Sequence, residues 1–153
     1  MPGIVVSQAI VYEPKKRRKF FTYIEGNDFD LGNVFAYDCA AACYSPQGLE
    51  WKTQMLDYVQ GNIDLLCERL QKECPQIVPI RPQASFLVFL DCRGLGYKTQ
   101  EELDDFFANK ARVGLNSGAM FGPGGKGYMR MNVGCPRSVV NQAIDQIVAA
   151  LKD

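Results

Sequence analysis

Histidine is absent from all 153 residues, and that removes more chemistry than any single motif adds. Without an imidazole the chain has no Ser-His or Cys-His nucleophile system, and a structural zinc site loses its usual nitrogen ligand. An excess of charge is missing too. Lys plus Arg and Asp plus Glu number 17 each, so no global field draws in nucleic acid or an anionic membrane. No apolar run approaches the length needed to span a bilayer. Met1–Ser7 has neither the basic start nor the long apolar block of a signal peptide. These absences predict a cytoplasmic protein with no nucleic-acid partner and no membrane partner.

What is present is an ordinary soluble composition, 47% hydrophobic and 22% charged. The length suits one domain, or one compact piece of a larger protein. Six cysteines, at 39, 43, 67, 74, 92 and 135, read as buried free thiols. Cys39 and Cys43 lie one helical turn apart, but no second short pair completes a metal set, so no metal is expected. Chemistry here must use lysine, carboxylates, tyrosine, cysteine or a cofactor.

Along the chain, Ile4–Tyr12 reads as a strand and Pro14 opens a basic helix, Lys15–Lys19, with Phe20 and Phe21 behind it. Residues 27–33 form a loop, residues 34–44 a second helix, and Ser45–Gly48 breaks it. From Leu49 the positions Met55, Leu56, Val59, Ile63, Leu66 and Leu70 keep helical spacing until Pro75. Ile77–Val78 is a short strand, placed at an edge by Pro79 and Pro82. Phe86–Leu90 is apolar throughout, which fits a central strand covered on both faces. Thr99–Glu102 is a capping box for a helix with Leu103, Phe106 and Phe107. Val113–Asn116 is a strand, followed by a glycine-rich loop and a strand through Arg130. Pro136 then starts a last helix, with Val139, Val140, Ala143, Ile144, Ile147, Val148 and Leu151 as its apolar stripe.

The second half is therefore β-β-α-β-β-α: an α+β unit of about four mainly antiparallel strands with helices on one face. The first half, one strand and helices, cannot build a sheet of its own. Its strand has no evident neighbour, so the chain reads as truncated or as paired with a partner.

Several local patterns carry little chemistry. Gly122–Gly127 matches G-x-G-x-x-G in letters, but a strand follows where a dinucleotide fingerprint needs a helix. It reads as a hairpin-like loop that sets the register of the next strand. The basic run at Lys15–Lys19 reads as a solvated helix face with its aromatics turned inward, and Glu101, Glu102, Asp104 and Asp105 as helix-dipole partners. Trp51 and Tyr58 default to packing. The strand Tyr128–Asn132 is different. Alternation sends Met129, Met131 and Val133 to one face and Tyr128, Arg130 and Asn132 to the other. A guanidinium between a phenol and an amide suits bidentate capture of a carboxylate.

An ordered set of blocks then becomes specific. They are Ala41–Tyr44, Gly48–Trp51 with Tyr58 and Asn62, Phe86–Gly96, Val113–Gly122, Gly127–Asn132 and Cys135–Arg137. In this order they resemble the C-terminal part of the pyridoxal-phosphate-dependent C–S lyases of the cystathionine β-lyase type, within the class I/II aminotransferase superfamily of fold type I. The resemblance implies a small C-terminal domain at 49–153, preceded at 1–48 by the tail of a large cofactor domain and a linker. It implies a Schiff-base lysine upstream of Met1, so that no catalytic residue is carried by this chain. It also implies pyridoxal phosphate in the parent enzyme but not on this chain alone, a small amino acid such as cystathionine or cysteine as substrate, and a homodimeric parent. Arg130 would grip the substrate α-carboxylate, with Asn132 and Tyr128 supporting the guanidinium or the wall. Ala84–Phe86 departs from the family's small-Thr-Tyr run, which touches the substrate side pocket. Lyase and aminotransferase share these features, and a non-catalytic interaction domain is the reading from a different class.

Overall fold

The computed structural model describes Ile4 and residues 7–152. The chain divides into two compact units, Met1–Thr53 and Gln54–Asp153.

In the first unit, Pro14 supplies the fixed φ of an opening turn and helix α1 runs Pro14–Glu25. Helix α2 is Ala36–Cys43. Ser45 then acts as a joint. Its Oγ donates to the Ala42 carbonyl at 2.7 Å and accepts from the Gly48 N–H at 3.1 Å. The expected break is thus where the next helix, α3 (Pro46–Glu73), begins.

Three expectations fail in this unit. Residues 7–12 join no strand ladder, and Ile10 and Tyr12 are exposed; Val5 and Val6 lie outside the described residues. A strand persists where a neighbour takes its backbone hydrogen bonds, and the described strands all lie between Val78 and Asn132. The aromatics of α1 do not turn inward: none of its residues is buried, and Phe20, Phe21 and Tyr23 are exposed. Trp51 is exposed as well. Among the described residues of this unit, only Ala36 is buried.

The second unit follows the β-β-α-β-β-α pattern. Strands β1 (Val78–Ile80) and β2 (Leu87–Asp91) precede helix α4 (Gln100–Asp105). Strands β3 (Asn116–Ser117) and β4 (Tyr128–Asn132) precede helix α5 (Arg137–Lys152). The four strands form one antiparallel sheet in the order β1-β2-β4-β3. Val88 faces Met131 and Leu90 faces Met129 across β2 and β4. These four point to one side, where they pack with Val59, Ile63, Leu66 and Leu70 of α3 and Val140, Ile144 and Ile147 of α5. Each fully buried aliphatic side chain contributes about 1.5–3 kcal/mol. The capping box at α4 forms in full, Thr99 Oγ1 accepting from the Glu102 N–H at 3.2 Å and the Glu102 carboxylate accepting from the Thr99 N–H at 3.3 Å. A π-helical turn, Phe106–Lys110, then buries Phe106 and Phe107.

Here the structure corrects further details. The apolar run at residues 86–90 is not covered on both faces: Val88 and Leu90 are buried, while Leu87 and Phe89 are half-buried. Among the described residues of this unit, the core helices α3 and α5 pack on the side of Val88 and Leu90, and the other face is only half-buried at Leu87 and Phe89. Of the expected third strand, Val113–Asn116, only Asn116 is in the ladder, and the strand runs on to Ser117. Val139 is half-exposed and falls outside the buried stripe of α5, which is completed by Ala143 and Ala150. Tyr58 is also half-exposed, its ring set against Arg137.

Candidate functional site

The open face of the sheet is set by strand register. Asp91 pairs with Tyr128, Phe89 with Arg130 and Leu87 with Asn132, and period two turns all six away from the core. Arg130 is anchored by its buried neighbours Met129 and Met131, so its side chain rises from a fixed backbone. Nη2 donates to Asn116 Oδ1 at 3.0 Å, across the β3–β4 pair in which these two residues are opposite. The guanidinium carbon lies 4.3 Å from the ring centroid of Phe121. Phe121 in turn meets Phe89 edge-on at 5.5 Å.

Among the described residues Arg130 has no acidic partner, whereas Arg69 pairs with Glu73 and Asp145, Arg81 with Asp64, and Arg93 with Asp91. Its Nε is buried with no hydrogen-bond partner among the described residues. A half-buried cation without a counter-charge is an unmet demand for an anion. A carboxylate meets it best, since two parallel N–H···O bonds match the fork.

The structure brings Tyr128 and Asn132 onto the same face but engages them elsewhere. Arg93 lies over the Tyr128 ring at 5.1 Å and grips Asp91 with Nε at 2.9 Å and Nη2 at 2.6 Å. That fork holds the Asp91 carboxyl below the usual carboxylate range, helped by the Arg93 backbone N–H and the Tyr128 hydroxyl. Asn132 Oδ1 accepts from the Gly134 N–H at 2.8 Å. The groups that contact the guanidinium are Asn116 and Phe121. Sequence reading held both only as members of a block, because strand register and loop path decide what they touch.

The glycine-rich loop delivers Phe121. It winds into two 3₁₀ turns, Gly118–Phe121 and Pro123–Gly125. Gly118 and Gly125 approach so closely that a Cβ on either would collide with the carbonyl of the other. Gly127 donates to Gln100 Oε1 at 2.8 Å, tying the loop to α4. Ser85, in the run before β2, takes a left-handed φ of 73°. Such a conformation costs a non-glycine residue about 1–3 kcal/mol.

All six cysteines are free thiols. Among the described residues, no cluster of three or more His, Cys, Asp or Glu could hold a metal ion, and no helix is long and apolar enough to cross a membrane.

Residues 32–147 match the family described as aminotransferase class I and II. Cystathionine beta-lyase PatB of Bacillus subtilis (strain 168) is 32% identical over 149 residues, covering 97% of this chain and 38% of that protein. A pyridoxal-phosphate-bound structure from Clostridium difficile 630, provisionally assigned as an aminotransferase, superposes with a TM-score of 0.87 at 30% identity. It covers 93% of this chain and 36% of that one. The pyridoxal-phosphate-bound C–S lyase of Staphylococcus hominis gives a TM-score of 0.74 at 26% identity, over 88% of this chain and 36% of that one. The chain thus spans little more than a third of these relatives. The two solved relatives hold pyridoxal phosphate, a cofactor that enzymes bind as a Schiff base with a lysine. Among the described residues, the hydrogen-bond and ring partners of the Arg130 guanidinium are Asn116 and Phe121, neither of them a lysine. A guanidinium in this setting suits a carboxylate, and these residues do not by themselves hold the cofactor. The matched span and the shared fold agree: the chain belongs to the class I and II aminotransferase family.

Proposed function

We propose that this chain is the C-terminal part of a pyridoxal-phosphate-dependent C–S lyase of the cystathionine β-lyase type, in which Arg130 binds the α-carboxylate of the amino-acid substrate. The observation that carries this reading is the half-buried guanidinium with no acidic partner and an orphaned Nε. PatB, named as a cystathionine beta-lyase, supports the reaction class. In such enzymes the cofactor supplies an electron sink for the bonds at the substrate Cα. The task of this chain is orientation. A two-point grip on the carboxylate fixes the direction of the Cα bonds, and positioning of that kind removes several kcal/mol from a barrier. The face beside Arg130 carries Phe89 and Phe121, whose rings exclude water from one side of the guanidinium and strengthen its bond to a carboxylate.

In this reading residues 1–48 are the tail of the large cofactor domain with its linker, and residues 49–153 are the small domain. The apolar side chains that the first unit leaves exposed, among them Tyr12, Phe29, Phe35 and Tyr37, support a partner of that kind, and the parent enzyme is a cytoplasmic homodimer. The Schiff-base lysine belongs to the preceding segment, so the 153-residue chain alone releases no pyruvate.

The test is kinetic and uses the chain joined to its large domain. Arg130→Ala should lower kcat/KM on cystathionine by about 30- to 1000-fold, equivalent to about 2–4 kcal/mol of lost charged hydrogen bonding. An unchanged rate would remove the carboxylate role. Pyruvate released without a keto-acid acceptor marks a lyase; dependence on an acceptor marks an aminotransferase instead.

A further inference from the structure

Resting on the carboxylate reading of Arg130, we infer that Phe121, backed by Phe89, is the positioning residue that fixes the guanidinium plane. An arginine on an open sheet face has four side-chain torsions to lose before it can present a fork. Here two contacts from outside its own strand remove that freedom. Asn116 accepts one Nη2 hydrogen at 3.0 Å, which sets the height of the group above the sheet. Phe121 lies 4.3 Å from the guanidinium carbon, which sets its tilt. A hydrogen bond alone leaves rotation about its own axis, and a ring alone leaves sliding across its face. Together they leave one orientation.

Phe121 is itself restrained. Its ring meets Phe89 edge-on at 5.5 Å, and Phe89 is opposite Arg130 in the β2–β4 register. The aromatic pair and the cation therefore form a closed triangle on the sheet. The loop that carries Phe121 is set by the close approach of Gly118 and Gly125 and by φ of 108° at Gly122, a conformation that glycine alone adopts freely. Phe121 is still about half exposed, so its exchange for another side chain leaves the core intact. Asn116 takes one Nη2 hydrogen, which leaves the remaining Nη hydrogens to a ligand.

The experiment uses nitrogen-15 relaxation and chemical shifts of the arginine Nε–H groups in the 153-residue chain, with Arg130→Lys identifying the Arg130 signal. Wild type, Phe121→Leu and Phe121→Tyr are compared, each titrated with L-alanine as the carboxylate probe. The backbone spectrum reports that each variant is folded. In wild type and Phe121→Tyr, the Arg130 Nε–H should be as ordered as the backbone. In Phe121→Leu it should become mobile, and L-alanine should bind about five- to tenfold more weakly. Unchanged Arg130 order in Phe121→Leu would overturn the positioning role. If the leucine variant frees the side chain while L-alanine shifts no signal even in wild type, positioning stands and the carboxylate reading falls.

Discussion

Arg130 and Cys92 show how the same sheet makes one side chain available and another inert. Arg130 sits on the outward face with its Nε unpartnered among the described residues. Cys92 is fully buried just beyond the end of β2. Burial first, and the Asp91 charge second, push its thiol up to about 12. The sign follows from the acid form. A raised folded-state pKa favours the neutral thiol, so this contribution to stability is complete below the ordinary cysteine value of about 8.5. It is lost as pH rises from there toward 12. Reaction with a thiol reagent at pH 8 should therefore reach exposed Cys43 rapidly and Cys92 only after denaturation. Modification of Cys92 in the folded chain at a rate near that of Cys43 would contradict the burial. Sequence reading took all six thiols as buried, because composition does not distinguish a core position from a helix surface; Cys43 is exposed.

Between elements, the decisive contact is a buried amide. Asn62 of α3 is fully buried, and its Nδ2 donates to the carbonyls of Val133 and Cys135, both at 2.9 Å. Its Oδ1 accepts from Arg137 Nε at 3.0 Å. Arg137 also lies over the Tyr58 ring at 4.8 Å, and its backbone N–H donates to the Tyr58 hydroxyl at 2.8 Å. Gly61 leaves room for the guanidinium, which a Cβ there would meet at 2.6 Å. The cluster fixes the chain between the end of β4 and the start of α5, and so the far end of the strand that carries Arg130. Asn62→Ala strands the buried Val133 carbonyl and the partly buried Cys135 carbonyl and should cost about 2–4 kcal/mol in urea unfolding. A loss under about 1 kcal/mol would mean that those carbonyls find other partners. The letters placed Asn62 and Arg137 in separate blocks 75 positions apart, and only the packing of α3 on the sheet joins them.

On the scale of the whole chain, the two units differ in what holds them. The second has a continuous core from Val59 to Ala150; the first buries only Ala36 among its described residues. Local stability follows buried apolar contact. Native-state hydrogen exchange on the chain alone should therefore show strong protection in β2, β4 and α5, and exchange in α1 close to that of an unfolded peptide. Equal protection in α1 and α5 would show that the first unit draws stability from a source other than its own core. By itself the sequence determined the order of elements in the second half, the capping box at Thr99, the inward faces of α3 and α5, and Arg130 on the outward face of its strand. These are short-range matters of periodicity and end chemistry, which local spacing encodes. Tertiary structure alone decided that Leu87 and Phe89 of the apolar run stay half-buried, that Ile4–Tyr12 forms no strand among the described residues, and that Arg130 meets Asn116 and Phe121 instead of Tyr128 and Asn132. Register and close backbone approach between distant segments settle such contacts, and neither is written in any one stretch of the chain.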